Sequence, residues 1–382
     1  KQWIPRAQIP DGAGADIARI ADELGLNPII AKLLYSRGCT DVNSAKSFIY
    51  MESEILSNPF EMADMEKGIL RVKRAIDSHE KITVYGDYDV DGVTSVCTLY
   101  LYLKSVGADV EYYIPNRTGE GYGVSPMALD SIKARGTSLV ITVDTGITAN
   151  AEVEYARSIG MDFVITDHHE CRSELPLADA VINPHRPDCP YPFKELAGVG
   201  VVFKFVCAFE ERFNRVSRYK AAANIFASYA DFVAIGTIAD VMPIREENRI
   251  IVAYGLKMIE ETMRPGLQAL IELSSHKADA QRDNARKKKK TKITSSYIGY
   301  TLAPRINAAG RIKSATEAVE LFLAKDKASA SEIAERLCDA NRERQAEENK
   351  IMKEAYKKIE ELEAALKERD DKREMDRIRR AY

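Results

Sequence analysis

Val84-Tyr-Gly-Asp87-Tyr-Asp89-Val-Asp91-Gly92 follows directly on an apolar run and sets three carboxylates at every other position. Ile82 to Tyr85 reads as a buried strand. Gly86 and Gly92 bracket a turn that leads into an apolar helix pattern from Val93 to Val106. Carboxylates crowded at the carboxyl end of a strand repel one another unless a cation sits among them. Hard ions such as Mg²⁺ or Mn²⁺ take oxygen ligands of this kind. Taken alone, the stretch reads as well as a solvated acidic turn.

Three further stretches change the balance. Val140-Ile-Thr-Val-Asp144-Thr-Gly146 is a second apolar run ending in an aspartate and a glycine. Phe163-Val-Ile-Thr-Asp167-His168-His169-Glu170 is a third, and Ala234-Ile-Gly-Thr-Ile-Ala-Asp240-Val-Met-Pro243 places a further carboxylate after a long apolar stretch. In an open parallel sheet, polar residues just past the strand ends converge on one crevice. A lone aspartate there would serve as a helix N-cap. Four such sites in order, one with paired histidines, point to a metal-dependent active site.

The chain has 382 residues, 45% of them apolar, enough for a large core and for more than one. No apolar run reads as long enough to span a bilayer, and the first residues do not resemble a signal peptide. The first residue is Lys1 rather than methionine, so trimming or an upstream boundary is expected. Six scattered cysteines without a CxxC pair suit a reduced, cytoplasmic setting. Cys171 lies near the paired histidines, but without a CxxC partner it makes a weak zinc ligand. The net charge of −3 excludes a polycation, although Arg286 to Lys292 holds five lysines and an arginine.

The expected class is α/β: a parallel β-sheet flanked by helices, with helical N- and C-terminal parts. Residues 1–78 read as helical, with apolar spacing at Ile17 to Leu24 and Ile29 to Leu34. Residues 79–275 form the α/β part, with strands at 82–86, 109–114, 139–143, 162–166 and 180–182 and helices over 199–274. A polar, lysine-rich loop follows at 276–294, then a helical segment at 295–326. One long helix without proline or glycine runs from 327 to the end, with an apolar stripe at Ile333, Leu337, Ile351, Ala355, Ile359, Leu362 and Leu366.

In this order the motifs resemble the DHH phosphoesterase superfamily, named for triplets such as Asp167-His168-His169, and within it the bacterial RecJ single-strand-specific exonucleases. The resemblance is carried by Gly86 to Val93, Thr166 to His169, Asn183-Pro-His-Arg-Pro-Asp-Cys-Pro-Tyr-Pro192, Leu196 to Gly200, Gly236 to Pro243 and Pro304-Arg-Ile-Asn-Ala-Ala-Gly-Arg311. It covers about residues 1–360. What it implies is a two-ion Mn²⁺ or Mg²⁺ centre ligated by Asp89, Asp91, Asp144, His168 and Asp240, with Asp144 bridging and Asp87 as a further ligand. It implies that His169 faces the scissile phosphate, that Asp167 orients an imidazole, and that Arg117, Arg305 and Arg311 bind substrate phosphates.

The implied activity is 5′→3′ hydrolysis of single-stranded DNA in recombination and repair, with single-strand-binding protein as a partner and no membrane. The residue types suit that chemistry, since a phosphodiester needs an activated water, charge neutralisation and help for the leaving alkoxide. Arg117 also has Glu120 within reach, and Arg305 and Arg311 have core-edge carboxylates as alternative partners. His79, His185 and His276 read as structural or surface residues, and Tyr85, Tyr88 and Tyr122 as base-stacking or packed side chains.

Tyr85 stands where many DHH phosphoesterases carry a histidine, which disfavours the pyrophosphatase and small-oligonucleotide branches. A phosphodiesterase for short RNA or cyclic dinucleotides is the second enzyme reading, and a non-catalytic replication scaffold is the reading from another class. The intact ligand set speaks against the scaffold. The superfamily's smaller substrate domain is expected beyond Tyr382, so this chain is expected to be a catalytic core fragment.

Overall fold

The computed structural model describes residues 9–50, 56–115, 123–280, 292–312 and 314–381; for 276–280, 311, 312, 368 and 370–381 it describes the backbone alone. Three N-terminal helices, α1 (Gly14–Leu24), α2 (Pro28–Tyr35) and α3 (Val42–Tyr50), enclose a small apolar cluster of their own around Ile20, Ala31 and Leu34. Helix α4 (Met65–Asp77) then leads into β1 (Ile82–Gly86), α5 (Val90–Ser105), β2 (Val110–Tyr113), α6 (Pro126–Ala134), β3 (Leu139–Val143), α7 (Asn150–Ser158), β4 (Asp162–Thr166) and β5 (Ala180–Ile182).

The five strands form one parallel sheet in the order β2-β1-β3-β4-β5. Strand side chains alternate between two apolar layers. Ile82, Val84, Ile141 and Val164 face a large cluster with α4 and α5, whereas Tyr85, Val140, Phe163 and Ile165 face a smaller one with Leu129 of α6 and Val153 of α7. Both faces are covered, which is why the strands read as continuous apolar runs.

The second half of the chain is helical. Helices α8 (Gly198–Phe213), α9 (Arg218–Ala239), α10 (Glu246–Glu260) and α11 (Pro265–Ala280) extend the large cluster, followed by α12 (Ser295–Tyr297), a π-turn at Ile298–Leu302, α13 (Ala303–Ile312), α14 (Thr316–Leu323) and α15 (Lys327–Ala381). Its 55 residues make α15 about 80 Å long. Ala330, Ala334 and Leu337 are buried, while Ile351, Ile359, Leu362 and Leu366 are exposed.

Two expectations need correction. Helix α9 is long and apolar enough, by length and composition, to cross a membrane; 78% of its most apolar window is buried inside the fold, so it is a core helix. Helix α11 continues through Ala280 into the segment read as a loop from 276, because His-Lys-Ala-Asp-Ala contains no helix breaker. Most of the lysine-rich run lies outside the described residues.

Candidate metal centre

The register of the sheet builds the site. Gly86 pairs with Val143, Val143 with Thr166, and Thr166 with Ile182, so four strands end level. The next residue on each is Asp87, Asp144, Asp167 and Asn183. Strand order reverses between β1 and β3, and such a switch point opens a crevice at the carboxyl ends. Asp87 and Asp144 stand on either side of it.

Helices supply the remaining groups. Asp89 caps α5, its Oδ1 accepting from Gly92 N at 3.0 Å. Asp91, two residues further on, is buried, and its two oxygens accept from Gly198 N at 2.6 Å and Val199 N at 3.0 Å. The positive end of α8 is thereby aimed at the crevice. Helix α9 crosses α5 so closely that a Cβ on Gly236 would lie 2.7 Å from Asp91 Oδ1, and four residues later α9 ends at Asp240.

His168 Nε2 lies 3.1 Å from Asp144 Oδ1, 3.6 Å from Asp240 Oδ2 and 3.8 Å from Asp91 Oδ2. Asp144 is buried with a left-handed backbone (φ 57°), and its Oδ1 makes no hydrogen bond despite the nearby imidazole. An unsatisfied buried carboxylate oxygen facing a ring nitrogen is costly unless both atoms serve a common cation. Donor atoms gather within 4.8 Å of one another in the sets Asp87–Asp89–Asp144, Asp91–His168–Asp240 and Asp144–His168–His169. Two of these sets contain Asp144 and two contain His168. The oxygen-rich donors, five carboxylates with two imidazoles, fit a pair of hard divalent ions.

The electrostatics follow from crowding. Burial, then the neighbouring Asp89, pushes Asp87 up to about 7 and Asp240 up to about 6. Asp91 and Asp144 are also raised, by burial and then by each site's other carboxylates. Burial and the adjacent His169 push His168 down to about 4, leaving it neutral, as a metal-ligating imidazole must be.

Asp167 is the exception. Burial works to raise it, but its hydrogen bonds prevail and hold it below the ordinary carboxylate value. Oδ1 accepts from the backbone N–H groups of His168 and His169 and lies 2.7 Å from His169 Nδ1, while Oδ2 accepts from Ile147 N at 2.9 Å. The Asp167 bond, against the opposing effect of burial, raises His169 to about 9. The His169 side chain is 44% exposed, so a protonated imidazole faces the open side of the crevice.

The DHH family, N-terminal domain, matches residues 81–237, the span from β1 to the last turn of α9. A crystal structure of exonuclease RecJ bound to manganese is 30% identical, covers 78% of this chain and 70% of that one, and superposes with a TM-score of 0.66. The chain belongs to the DHH family. The single-stranded-DNA-specific exonuclease RecJ of Bacillus subtilis (strain 168) is 41% identical to this DHH chain over 344 residues, covering 90% of the chain and 41% of that protein. The RecJ of Escherichia coli (strain K12) is 37% identical, covering 88% and 57%. A Thermus thermophilus RecJ crystal structure in complex with Mn²⁺ is 28% identical, with a TM-score of 0.71 and coverage of 89% and 46%. The chain thus spans about half the length of the curated relatives it matches.

The sequence-derived residues divide into three groups. Asp87, Asp89, Asp91, Asp144, Asp167, His168, His169 and Asp240 come together in the crevice. Arg305, on α13, donates to the Thr301 carbonyl, and its charge is felt by Tyr297 and by Cys338 of α15. Arg117 is outside the described residues, and Arg311 is described only as backbone in α13. Tyr85 is buried and stacked on Tyr113, Tyr88 is half-buried, and Tyr122 is outside the described residues. Cys171 belongs to none of the metal-type clusters among the described residues.

Two site residues went unassigned in the sequence. Asn183 is fully buried, and its Nδ2 donates to the His169 carbonyl at 2.9 Å, holding the triplet's loop. Its signal was available: like the aspartates, it directly follows a strand. Asn307, on α13, accepts from Val90 N at 3.1 Å and braces the acidic turn from outside. That contact joins residues 217 apart in sequence, which no local pattern foretells.

Proposed function

We propose that this chain is the catalytic core of a metal-dependent exonuclease that hydrolyses single-stranded DNA from its 5′ end, in DNA recombination and repair. The observation that carries this reading is the pair of donor sets, Asp87–Asp89–Asp144 and Asp91–His168–Asp240, held together by the 3.1 Å approach of Asp144 to His168. Two Mn²⁺ or Mg²⁺ ions bound there would supply an acidified water and neutralise phosphoryl oxygens. Asp144, common to two of the donor sets, would be the ligand shared between the two ions. Asp167 holds the His169 ring by Nδ1, and Nε2 donates to the phosphoryl or leaving oxygen where charge develops. Arg117, Arg305 and Arg311 are assigned to substrate phosphates, whose oxygens suit a guanidinium fork.

The residue ranges 1–78, 79–275, 276–294, 295–326 and 327–382 serve as helical cap, catalytic unit, basic segment beginning with the end of α11, phosphate-contacting segment and connecting rod. The setting is the reduced cytoplasm, consistent with six free cysteines. The partners are single-stranded DNA and, through other segments, single-strand-binding protein.

The test is incubation with Mn²⁺ and a 3′-labelled single strand carrying a 5′ phosphate, beside an RNA copy and a duplex. Stepwise shortening of the DNA strand from its 5′ end, lost in Asp144→Asn, is the expected result. Bound metal without cleavage of any strand would overturn the activity assigned to this core.

A further inference from the structure

A groove of about 880 Å³ runs between the N-terminal helices and the start of α10. Its apolar lining includes Ile29 and Leu33 from α2 and Ile244 from the segment following Asp240. Both α2 residues are more than half exposed, at 69% and 55%, an unusual state for adjacent large aliphatic side chains on one helix. Lys32, Arg37 and Arg249 line the same groove.

No carboxylate among the described residues pairs with any of these three cations. Arg249 is held in place, with Nε donating to the Phe48 carbonyl at 2.9 Å and its guanidinium 3.8 Å from the Phe48 ring centroid. Burial lowers the affinity of Arg249 for its proton, Cys39 opposes the shift, and the like charge of Arg37 adds to it. Arg71, Arg186 and Arg264, by contrast, are each neutralised by aspartates or glutamates. A fixed guanidinium beside a second one, without a counter-ion, is a ready anion site.

The groove is physically tied to the metal centre. Ile244 is four residues beyond Asp240, a span of at most about 14 Å of extended chain. The adjoining Arg245 is clamped to Glu195, whose neighbour Leu196 hydrogen-bonds His168 through its backbone. Cations together with apolar side chains in one groove match a phosphodiester backbone carrying bases. We infer that this groove holds the part of the single strand lying beyond the scissile phosphate, with Lys32, Arg37 and Arg249 on its phosphates. The inference rests on the nuclease reading of the neighbouring centre and extends it to a strand-binding surface.

The experiment uses the Lys32→Glu/Arg37→Glu variant of the whole chain, since both side chains are exposed and unpaired among the described residues. Binding of a long, labelled oligothymidylate is measured in EDTA over a range of salt concentrations, and cleavage of a 5′-phosphorylated dinucleotide is measured with Mn²⁺. The expected result is at least about tenfold weaker binding of the long strand, and a salt slope shallower by about 1.4, or about 0.7 for each lost phosphate contact. Dinucleotide cleavage should be unchanged, because a dinucleotide does not reach the groove. Unaltered affinity and slope for the long strand, as expected if an acidic protein segment is the true occupant, would overturn the groove and leave the cleavage reading intact. Equal losses for both substrates would also overturn it, as a general effect of charge. Failure of the unaltered protein to cleave either substrate would instead count against the nuclease reading, while the binding arm still decides the groove.

Discussion

Gly198 and Asp144 approach so closely that a Cβ on the glycine would sit 2.5 Å from the carboxylate's Oδ1. The first residue of α8 is therefore part of the wall that sets the position of the shared ligand. Its backbone N–H is already committed to Asp91, so neither the helix nor the carboxylate has room to yield. Gly198→Ala is expected to cost about 1–3 kcal/mol of stability through overpacking. It should also weaken Mn²⁺ binding. Urea melts with and without Mn²⁺ separate the two effects, and a variant that binds metal normally would refute the role of this contact.

Asp144→Asn tests the carboxylate itself. Asparagine tolerates the left-handed backbone at this position, so the fold should survive. Removing one charge from a crowded cluster should leave the metal-free melting temperature unchanged or higher. The rise in melting temperature on adding Mn²⁺, which reports binding to the native state, should disappear. A preserved rise would show that the ions do not depend on Asp144.

Asp167→Asn should uncouple His169. The imidazole is held at about 9 by the Asp167 bond, and without the anion its titration should move down toward the ordinary histidine value of 6.5. Cleavage should fall about 10- to 100-fold, as when an orienting partner is removed. Histidine NMR titration reads the first effect and a nuclease assay the second. A His169 titration unmoved by the substitution would remove Asp167 from this role.

Asp64 anchors the loop that carries Asn183, through Arg186 Nη1 at 2.6 Å, and it also pairs with Lys67. Burial acts to raise Asp64, but the bonds from Lys67 and Arg186 outweigh it and depress the carboxyl below its ordinary 3.8. A depressed folded-state value stabilises the fold above 3.8, and that stabilisation is lost as pH falls through the folded value. Between neutral pH and about pH 3 the native chain should therefore lose more stability than Asp64→Asn, which lacks the titrating group. Urea midpoints across that range check the slope, and parallel profiles would remove Asp64 from the acid response.

Lys204 and Glu247 form an ion pair at 2.6 Å with both side chains 2% exposed, and Tyr191 and the Ser57 backbone also donate to Glu247. Lys204→Met leaves a buried carboxylate without its cation and should cost about 3–5 kcal/mol. A denaturant midpoint close to that of the unaltered protein would mean that Glu247 becomes protonated at little cost.

Strand positions were legible in the sequence because a parallel sheet covered on both faces leaves uninterrupted apolar runs, and β1, β3, β4 and β5 have the expected limits. The membrane-like length of α9 and the extra turn of α11 were both legible locally, as an apolar 22-residue helix and a breaker-free run, but were passed over. That α9 is buried in the core is set by distant partners and leaves no local mark.

The order of aspartates after apolar runs and the paired histidines belong to the sequence alone, because each is a short-range pattern of residue types. Convergence does not. The level ends that bring Asp87, Asp144, Asp167 and Asn183 side by side depend on inter-strand register. The closures by Gly198, Gly236 and Asn307 join segments about 50 to 220 residues apart. Arg305, assigned to phosphate from its motif, also acts on Cys338 of α15, a neighbour its motif does not announce, because the direction of a long side chain on a helix is set by what packs beside it. Chemistry of this kind is written locally as residue types, but a metal centre needs donor atoms within a few ångströms. Only the packed sheet and the helices crossing it set those distances.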